Sequence, residues 1–241
     1  LPIYSTGQGY ESWPAAIRLN DNSLLCAFSD GANHTANGTL VKVTKSTDHG
    51  ATWGSVVTAC DESGSGRRCL SQLGMAQLAS GRILLPYARE TNSTLAILDS
   101  KIKYSDDKGA SWNDHSTIAI PSGYDWLFVY GSIRELSAGG TLYMPAYAQK
   151  TSTGYWDSLL LKSTDAGVNW TLQGVVAAGT SLLNYSETDI VNVGGNNWFA
   201  ASRVEAAAGS QVRITTSSDN GATWAAPSLF DSATCVSPCL Y

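Results

Sequence analysis

Apolar and polar residues alternate along this chain with the period of strands, in short runs separated by turn residues. Residues 13–19, 23–28 and 39–45 carry three such runs and 55–59 a fourth, with Asn20-Asp21-Asn22 as the first turn and 29–38 as a longer loop. The grouping comes back at 73–78, 82–87, 97–104 and 116–120, then at 131–136, 141–146, 157–162 and 172–177. It returns a last time at 188–193, 197–201, 211–216 and 226–230. No stretch sustains the i, i+3, i+4, i+7 spacing of a long helix, so the pattern predicts an all-β chain. Four strands per repeat is the make-up of a propeller blade.

One octapeptide sits between the third and fourth strand of every repeat. It reads Ser-Thr-Asp-His-Gly-Ala-Thr-Trp from Ser46, Ser-Asp-Asp-Lys-Gly-Ala-Ser-Trp from Ser105, Ser-Thr-Asp-Ala-Gly-Val-Asn-Trp from Ser163 and Ser-Ser-Asp-Asn-Gly-Ala-Thr-Trp from Ser217. These starts lie 59, 58 and 54 positions apart, the regular period of a repeat architecture. The Asp can accept hydrogen bonds from backbone N–H groups of its own turn, the Gly supplies a positive φ, and the Trp pins the turn by burial. A carboxylate engaged by its own loop is poorly placed for catalysis, so the octapeptides are read as structural.

Composition narrows the class. With 43% hydrophobic and 15% charged positions the chain can bury a sizeable core. A net charge of −5 without a Lys/Arg cluster argues against nucleic acid or an anionic membrane as partner, and no apolar run is long enough to span a bilayer. Of five cysteines, Cys60 and Cys69 bracket a polar loop that a disulfide would staple. Cys235 and Cys239 form a second candidate pair, and Cys26 reads as a buried free thiol. No Cys or His cluster has zinc-ligand spacing, so neither a metal nor a cofactor is expected. Five N-glycosylation sequons, at Asn33, Asn37, Asn92, Asn169 and Asn184, together with possible disulfides, favour a secreted protein. The chain starts at Leu1-Pro2 without Met or an apolar signal segment, as a mature form would.

The octapeptides are Asp boxes. Together with Gly9-Tyr10-Glu11-Ser12-Trp13-Pro14-Ala15-Ala16-Ile17-Arg18-Leu19 and the following Ser23-Leu24-Leu25-Cys26-Ala27-Phe28, they resemble the sialidase superfamily of BNR, or Asp-box, propellers. The resemblance runs through all 241 residues at the level of repeats. It implies a single β-propeller domain over 1–241, with four-stranded antiparallel blades at about 10–60, 69–120, 128–178 and 185–231. Residues 236–241 resemble the opening of another first strand, so 232–241 are expected to begin a further blade, in a chain belonging to a six-bladed ring. A four-bladed ring is the alternative. The superfamily includes sialidases, other exo-glycosidases, polysaccharide lyases and lectins, so the fold alone does not choose an activity.

In that family the ligand lies over the central axis, on the face opposite the Asp boxes, where first strands begin and second strands end. Strand starts there offer Glu11, Ser12 and Trp13; Ser71 and Gln72; Tyr130 and Ser132; and Tyr185, Ser186 and Glu187. Strand ends and the loops after them offer Asp30 and His34; Tyr87, Arg89 and Glu90; Tyr147 and Gln149; and Arg203 and Glu205. Tyr185-Ser186-Glu187-Thr188-Asp189-Ile190-Val191 is similar to the sialidase "Ser-Glu-Pro-x-Val" strand, with Thr188 in place of Pro, and Ala201-Ser202-Arg203 to the end of the next one. By that resemblance Glu187 is the catalytic carboxylate, Asp30 the acid/base, and Arg203 the grip on an anionic group. In the residue-level reading Glu187 and Arg203 are equally an ion pair in a polar funnel. The opening motif's Arg falls on Ser12, which speaks against sialidase activity proper.

Glycoside hydrolysis needs two carboxylates across the scissile bond, and Glu187 with Asp30, Glu11 or Glu90 would supply them. Aromatic residues near the same loops, including Trp13, Tyr87, Trp126, Tyr130, Tyr147, Trp156 and Tyr185, suit sugar rings. The leading expectation is a secreted exo-acting glycoside hydrolase with a carbohydrate substrate. A lectin is one alternative. A polysaccharide lyase is the other, with Arg89 or Arg203 neutralising a uronate while His34 or a Tyr removes the neighbouring proton.

Overall fold

The Asp boxes fold as hydrogen-bonded turns in the computed structural model, which describes residues 9–71, 74–136, 140–206, 209–231 and 238–240. In the first box Asp48 Oδ1 accepts from Thr52 N and Ser46 Oγ, both at 2.8 Å, and its Oδ2 accepts from Thr52 Oγ1 at 2.5 Å. Ser46 Oγ in turn accepts from Gly50 N at 2.8 Å. Boxes two and four repeat the pattern through Asp107 and Asp219. In the third, Asn169 Nδ2 replaces the hydroxyl and donates to Asp165 Oδ2 at 2.7 Å. The left-handed bend is shared by two residues: His49, Lys108, Ala166 and Asn220, just before the Gly, have φ of 58–60°. The sequence reading assigned positive φ to the Gly alone.

Each box joins the third and fourth strands of an antiparallel sheet. The first sheet has the order β1 (Tyr10–Arg18), β2 (Leu24–Gly31), β3 (Leu40–Ser46), β4 (Val57–Cys60). The second runs β5 (Arg67–Ser71), β7 (Ile83–Thr91), β8 (Ile97–Ser105), β9 (Asn113–Thr117), with β6 (Ala76–Gln77) also on β7. The third runs β10 (Tyr124–Val129), β12 (Leu142–Lys150), β13 (Trp156–Ser163), β14 (Thr171–Ala177), with β11 (Arg134–Glu135) also on β12. The fourth runs β15 (Leu183–Gly194), β16 (Asn197–Ala206), β17 (Gly209–Ser217), β18 (Ser228–Asp231).

The chain is thus all-β, with four propeller blades of antiparallel strands. The six-bladed ring expected from sequence is not what the described residues form: each repeat yields one blade, and there are four repeats. The blades pack as two compact units, the first two in one and the last two in the other. Of the expected further blade, 232–237 and 241 lie outside the described residues. Residues 238–240 form no strand, and Leu240 is held through its backbone, its N donating to Asp189 Oδ2 at 2.8 Å and its O accepting from Arg134 Nη2 at 2.5 Å.

The opening strands of blades two and three depart from the predicted 73–78 and 131–136. Each is split in two, and most of its pairing lies earlier, at β5 and β10. In blade three the split falls at Gly131, whose φ is +90°. An added Cβ there would collide with the carbonyl of Thr188 and meet Pro145 Cγ at 2.7 Å, so only Gly permits the close approach of β15.

In the first unit Leu25, Val41, Val43, Ile83 and Leu85 form the core with Tyr87, and box residue Trp112 packs on it. The Cys60–Cys69 disulfide is formed and ties β4 to β5. In the second unit Tyr143, Leu160, Val176, Ile190 and Trp198 are buried together under Trp224. Cys26 is a buried free thiol, as predicted, and burial pushes it up to about 11. Cys235 lies outside the described residues. Among those residues the only helix is the 3-10 turn Ser63–Ser65, and none is long and apolar enough to cross a membrane.

Candidate functional site

In the first unit, β1 and β2 pair so that Glu11 stands opposite Asp30. Asp30 is buried and forms an ion pair with Lys42 Nζ at 2.5 Å, from the neighbouring β3. A bulge between Ser12 and Ala15 gives Trp13 a φ of 48°. The Trp13 ring then lies 4.9 Å from that of His34, and Tyr10 Oη is 2.9 Å from His34 Nδ1. The structure therefore brings Trp13 and His34 together, and adds Tyr10 from the opening motif.

Arg89 is enclosed by carboxylates. Its Nε donates to Asp99 Oδ1 at 2.6 Å and its Nη1 to Glu62 Oε2 at 2.6 Å. The two carboxylates raise its pKa further, against the cost of burial. Glu62 comes from the disulfide loop and Asp99 from β8; neither was foreseen, although the Asp-Glu…Arg-Arg content of that loop was visible. Glu90 lies 2.9 Å from Arg68 Nε, and burial pushes its carboxyl upward while Arg68 pulls it back. Arg68 Nη1 also donates to the carbonyl of His34 at 3.1 Å, so these two clusters touch. Tyr87 is 1% exposed and part of the core, with burial raising its pKa, so it does not face a ligand. Gln72 lies outside the described residues.

In the second unit a bulge between Tyr185 and Thr188 carries Glu187. Thr188, where the family has Pro, anchors that bulge. Its Oγ1 is 2.8 Å from Ser158 Oγ on β13, 2.9 Å from Ser202 Oγ on β16 and 3.2 Å from the carbonyl of Ser186. Its single proton is shared between Ser202 Oγ and the Ser186 carbonyl, leaving its lone pairs to accept from Ser158 Oγ. Pro would offer none of these bonds.

Glu187 Oε1 accepts from Arg203 Nη1 at 3.2 Å. Arg203 Nη2 is 2.8 Å from Glu205 Oε1 and 3.4 Å from Ser210 Oγ. The ion-pair alternative of the sequence reading is thus the arrangement present, extended by Glu205 and Ser210 into a cluster of one guanidinium between two carboxylates. Side-chain exposure rises from 14% at Glu187 through 24% at Arg203 to 38% at Glu205, so the cluster opens toward solvent at Glu205.

On blade three, Tyr147 is half-buried, with Trp126 at 5.7 Å and Trp156 at 6.0 Å between ring centroids. Tyr147 pairs in register with Ser158, the residue whose hydroxyl reaches Thr188. Asn184 Oδ1 accepts from Trp156 N at 2.8 Å, fixing the amide of that sequon against the backbone. Tyr130 and Tyr185 are 2% and 3% exposed, and Tyr185 packs with Ala177 and Val204. These two rings line the interior rather than a ligand surface.

Among the described residues, Cys60, Glu62 and Cys69 have ligand atoms close enough for a metal, but both sulfurs are used in the disulfide.

A family model described as "BNR repeat-like domain" matches residues 21–236, bearing out the resemblance to the sialidase superfamily. No curated protein sequence matches the chain. Among solved structures, a Dyadobacter fermentans protein of unknown function is similar at 20% identity and a TM-score of 0.78, with 94% of this chain and 71% of that one covered. The NanB sialidase of Streptococcus pneumoniae is similar at 12% identity and a TM-score of 0.74, covering 98% of this chain and 54% of that one. A Penicillium chrysogenum α-L-arabinanase is similar at 18% identity and a TM-score of 0.72, covering 98% and 72%. These likenesses establish the fold. The chain spans about half the length of the sialidase.

Proposed function

Because the chain belongs to the BNR repeat-like family, we propose that it is a secreted, exo-acting glycoside hydrolase removing terminal sugars from a glycan. The observation that carries this reading is Glu187, displayed on a bulge, partly shielded from water, and oriented by Arg203. Glu187 is the catalytic carboxylate, acting as nucleophile or base. Glu205, on the adjacent nitrogen of the same guanidinium, is the second carboxylate available within the unit. Arg203 is then a positioning residue.

The neighbours point the same way, since they include a sialidase and an α-L-arabinanase complexed with arabinobiose. Secretion is supported by the Cys60–Cys69 disulfide and the five sequons. The lyase alternative loses ground because Arg89 and Arg203, the residues offered for uronate neutralisation, are each held by two carboxylates. The lectin alternative keeps one supporting observation, the grouped rings of Trp126, Tyr147 and Trp156.

The test is reducing-sugar release from a glycan panel by wild type and Glu187→Gln. A hydrolase releases sugar and loses at least about 100-fold in rate with the variant. An unsaturated, ultraviolet-absorbing product supports the lyase instead, and binding without turnover supports the lectin.

A further inference from the structure

We infer that the sugar accepted at Glu187 is uncharged: the site takes a neutral glycan and discriminates against one bearing a carboxylate, such as a sialic or uronic acid. This rests on the hydrolase reading above and adds its substrate class.

A guanidinium recognises a carboxylate through paired N–H groups on one edge of its fork. On Arg203 the two terminal nitrogens already serve Glu187 and Glu205, with Ser210 sharing Nη2. The remaining Nε is buried, so a carboxylated sugar arriving from solvent would compete with Glu187 and Glu205 for the terminal nitrogens. It would also meet one positive charge beside two negative ones, in a partly buried place where salt screens poorly. Arg213, which pairs in register with Ser202 and so lies on the other face of the blade-four sheet, is turned to Gln211, to the carbonyl of Pro227 and to Tyr185. Arg134 is turned to Asp189 and to the backbone of Ile190 and Leu240.

The first unit, taken by itself, repeats the theme. Arg89 lies between Glu62 and Asp99, and Arg68 faces Glu90. A neutral sugar meets no such obstacle at Arg203. Its hydroxyls are donors for the outward-facing Glu205.

The experiment uses the wild-type chain with chemically matched probes: galacto-oligosaccharides against galacturonic acid oligosaccharides, and lactose against sialyllactose, with arabino-oligosaccharides as a further neutral series. Reducing-sugar release and equilibrium binding by tryptophan fluorescence are both measured, at low and high salt. The expected result is a preference of at least about tenfold for the neutral member of a pair, largely retained at high salt because the cluster is partly buried. Equal or better cleavage of an acidic member overturns the inference and leaves the hydrolase reading standing. Absence of cleavage with tighter binding of the neutral member sinks the hydrolase reading and keeps the charge preference. Tighter binding of the acidic member, or binding of neither, overturns the inference whatever the cleavage result.

Discussion

Replacing Thr188 by Val keeps the shape of the side chain and removes the hydroxyl on which Ser158, Ser202 and the Ser186 carbonyl converge. Ser158 is fully buried and Ser202 is 2% exposed, so both hydroxyls are left in the interior without that partner. Leaving a buried polar group unpaired costs about 1–3 kcal/mol, so two of them place the expected loss at about 2–6 kcal/mol. For a chain of this size that corresponds to a fall in Tm of about 5–15 °C. Urea denaturation with linear extrapolation measures it. The triple variant Ser158→Ala, Thr188→Val, Ser202→Ala removes the donors and acceptors together and is expected to recover most of the loss. Turnover should fall in the single variant as well, because Thr188 fixes the bulge that carries Glu187. A single variant within about 0.5 kcal/mol of wild type, or a triple variant costing more than the single one, would refute the reasoning.

Three further outcomes follow from the same structure. Gly123 and Gly131 share a φ near +90°, but an added Cβ is unobstructed at the first and collides with Thr188 and Pro145 at the second. Gly123→Ala should therefore cost about 1–2 kcal/mol and Gly131→Ala at least about 2 kcal/mol more, and equal melting curves would contradict this. Asp48, Asp107 and Asp219 are lowered from 3.8 to about 2, chiefly by the box hydroxyls of Thr52, Ser111 and Thr223 and then by the N–H groups of the same residues. A depressed carboxyl stabilises the fold above its unfolded pKa and stops doing so as pH falls through the folded one. Denaturation midpoints should hold down to about pH 4 and drop between about 4 and 2, and a flat profile across that window would count against the turns as drawn. Reducing the Cys60–Cys69 disulfide, which closes a separation of nine residues, should lower stability by about 2–3 kcal/mol, read by denaturation with and without a phosphine reductant.

The blades were legible because their signals are local. Alternating runs and a regularly spaced octapeptide report strand number and order without reference to anything distant. The split strand at Gly131 was not legible, because it is imposed by the approach of Thr188, 57 positions away in sequence. The same limit applies to side chains. Glu187 and Arg203 could be paired from their places on adjacent strands, and the pair is present. That Glu205 joins them, that Glu62 and Asp99 enclose Arg89, and that Tyr87 and Tyr185 turn inward depend on packing between strands. Periodicity assigns a residue to a face of its strand and does not say what covers that face.

The central claim, that a neutral sugar is cleaved at Glu187, is tested most directly by a crystal structure of the Glu187→Gln variant soaked with a neutral oligosaccharide that the wild type cleaves. The account predicts a terminal sugar whose scissile bond lies within hydrogen-bond reach of position 187, beside Arg203 and Glu205. A sugar bound only elsewhere on the chain, with this cluster left empty, would contradict it.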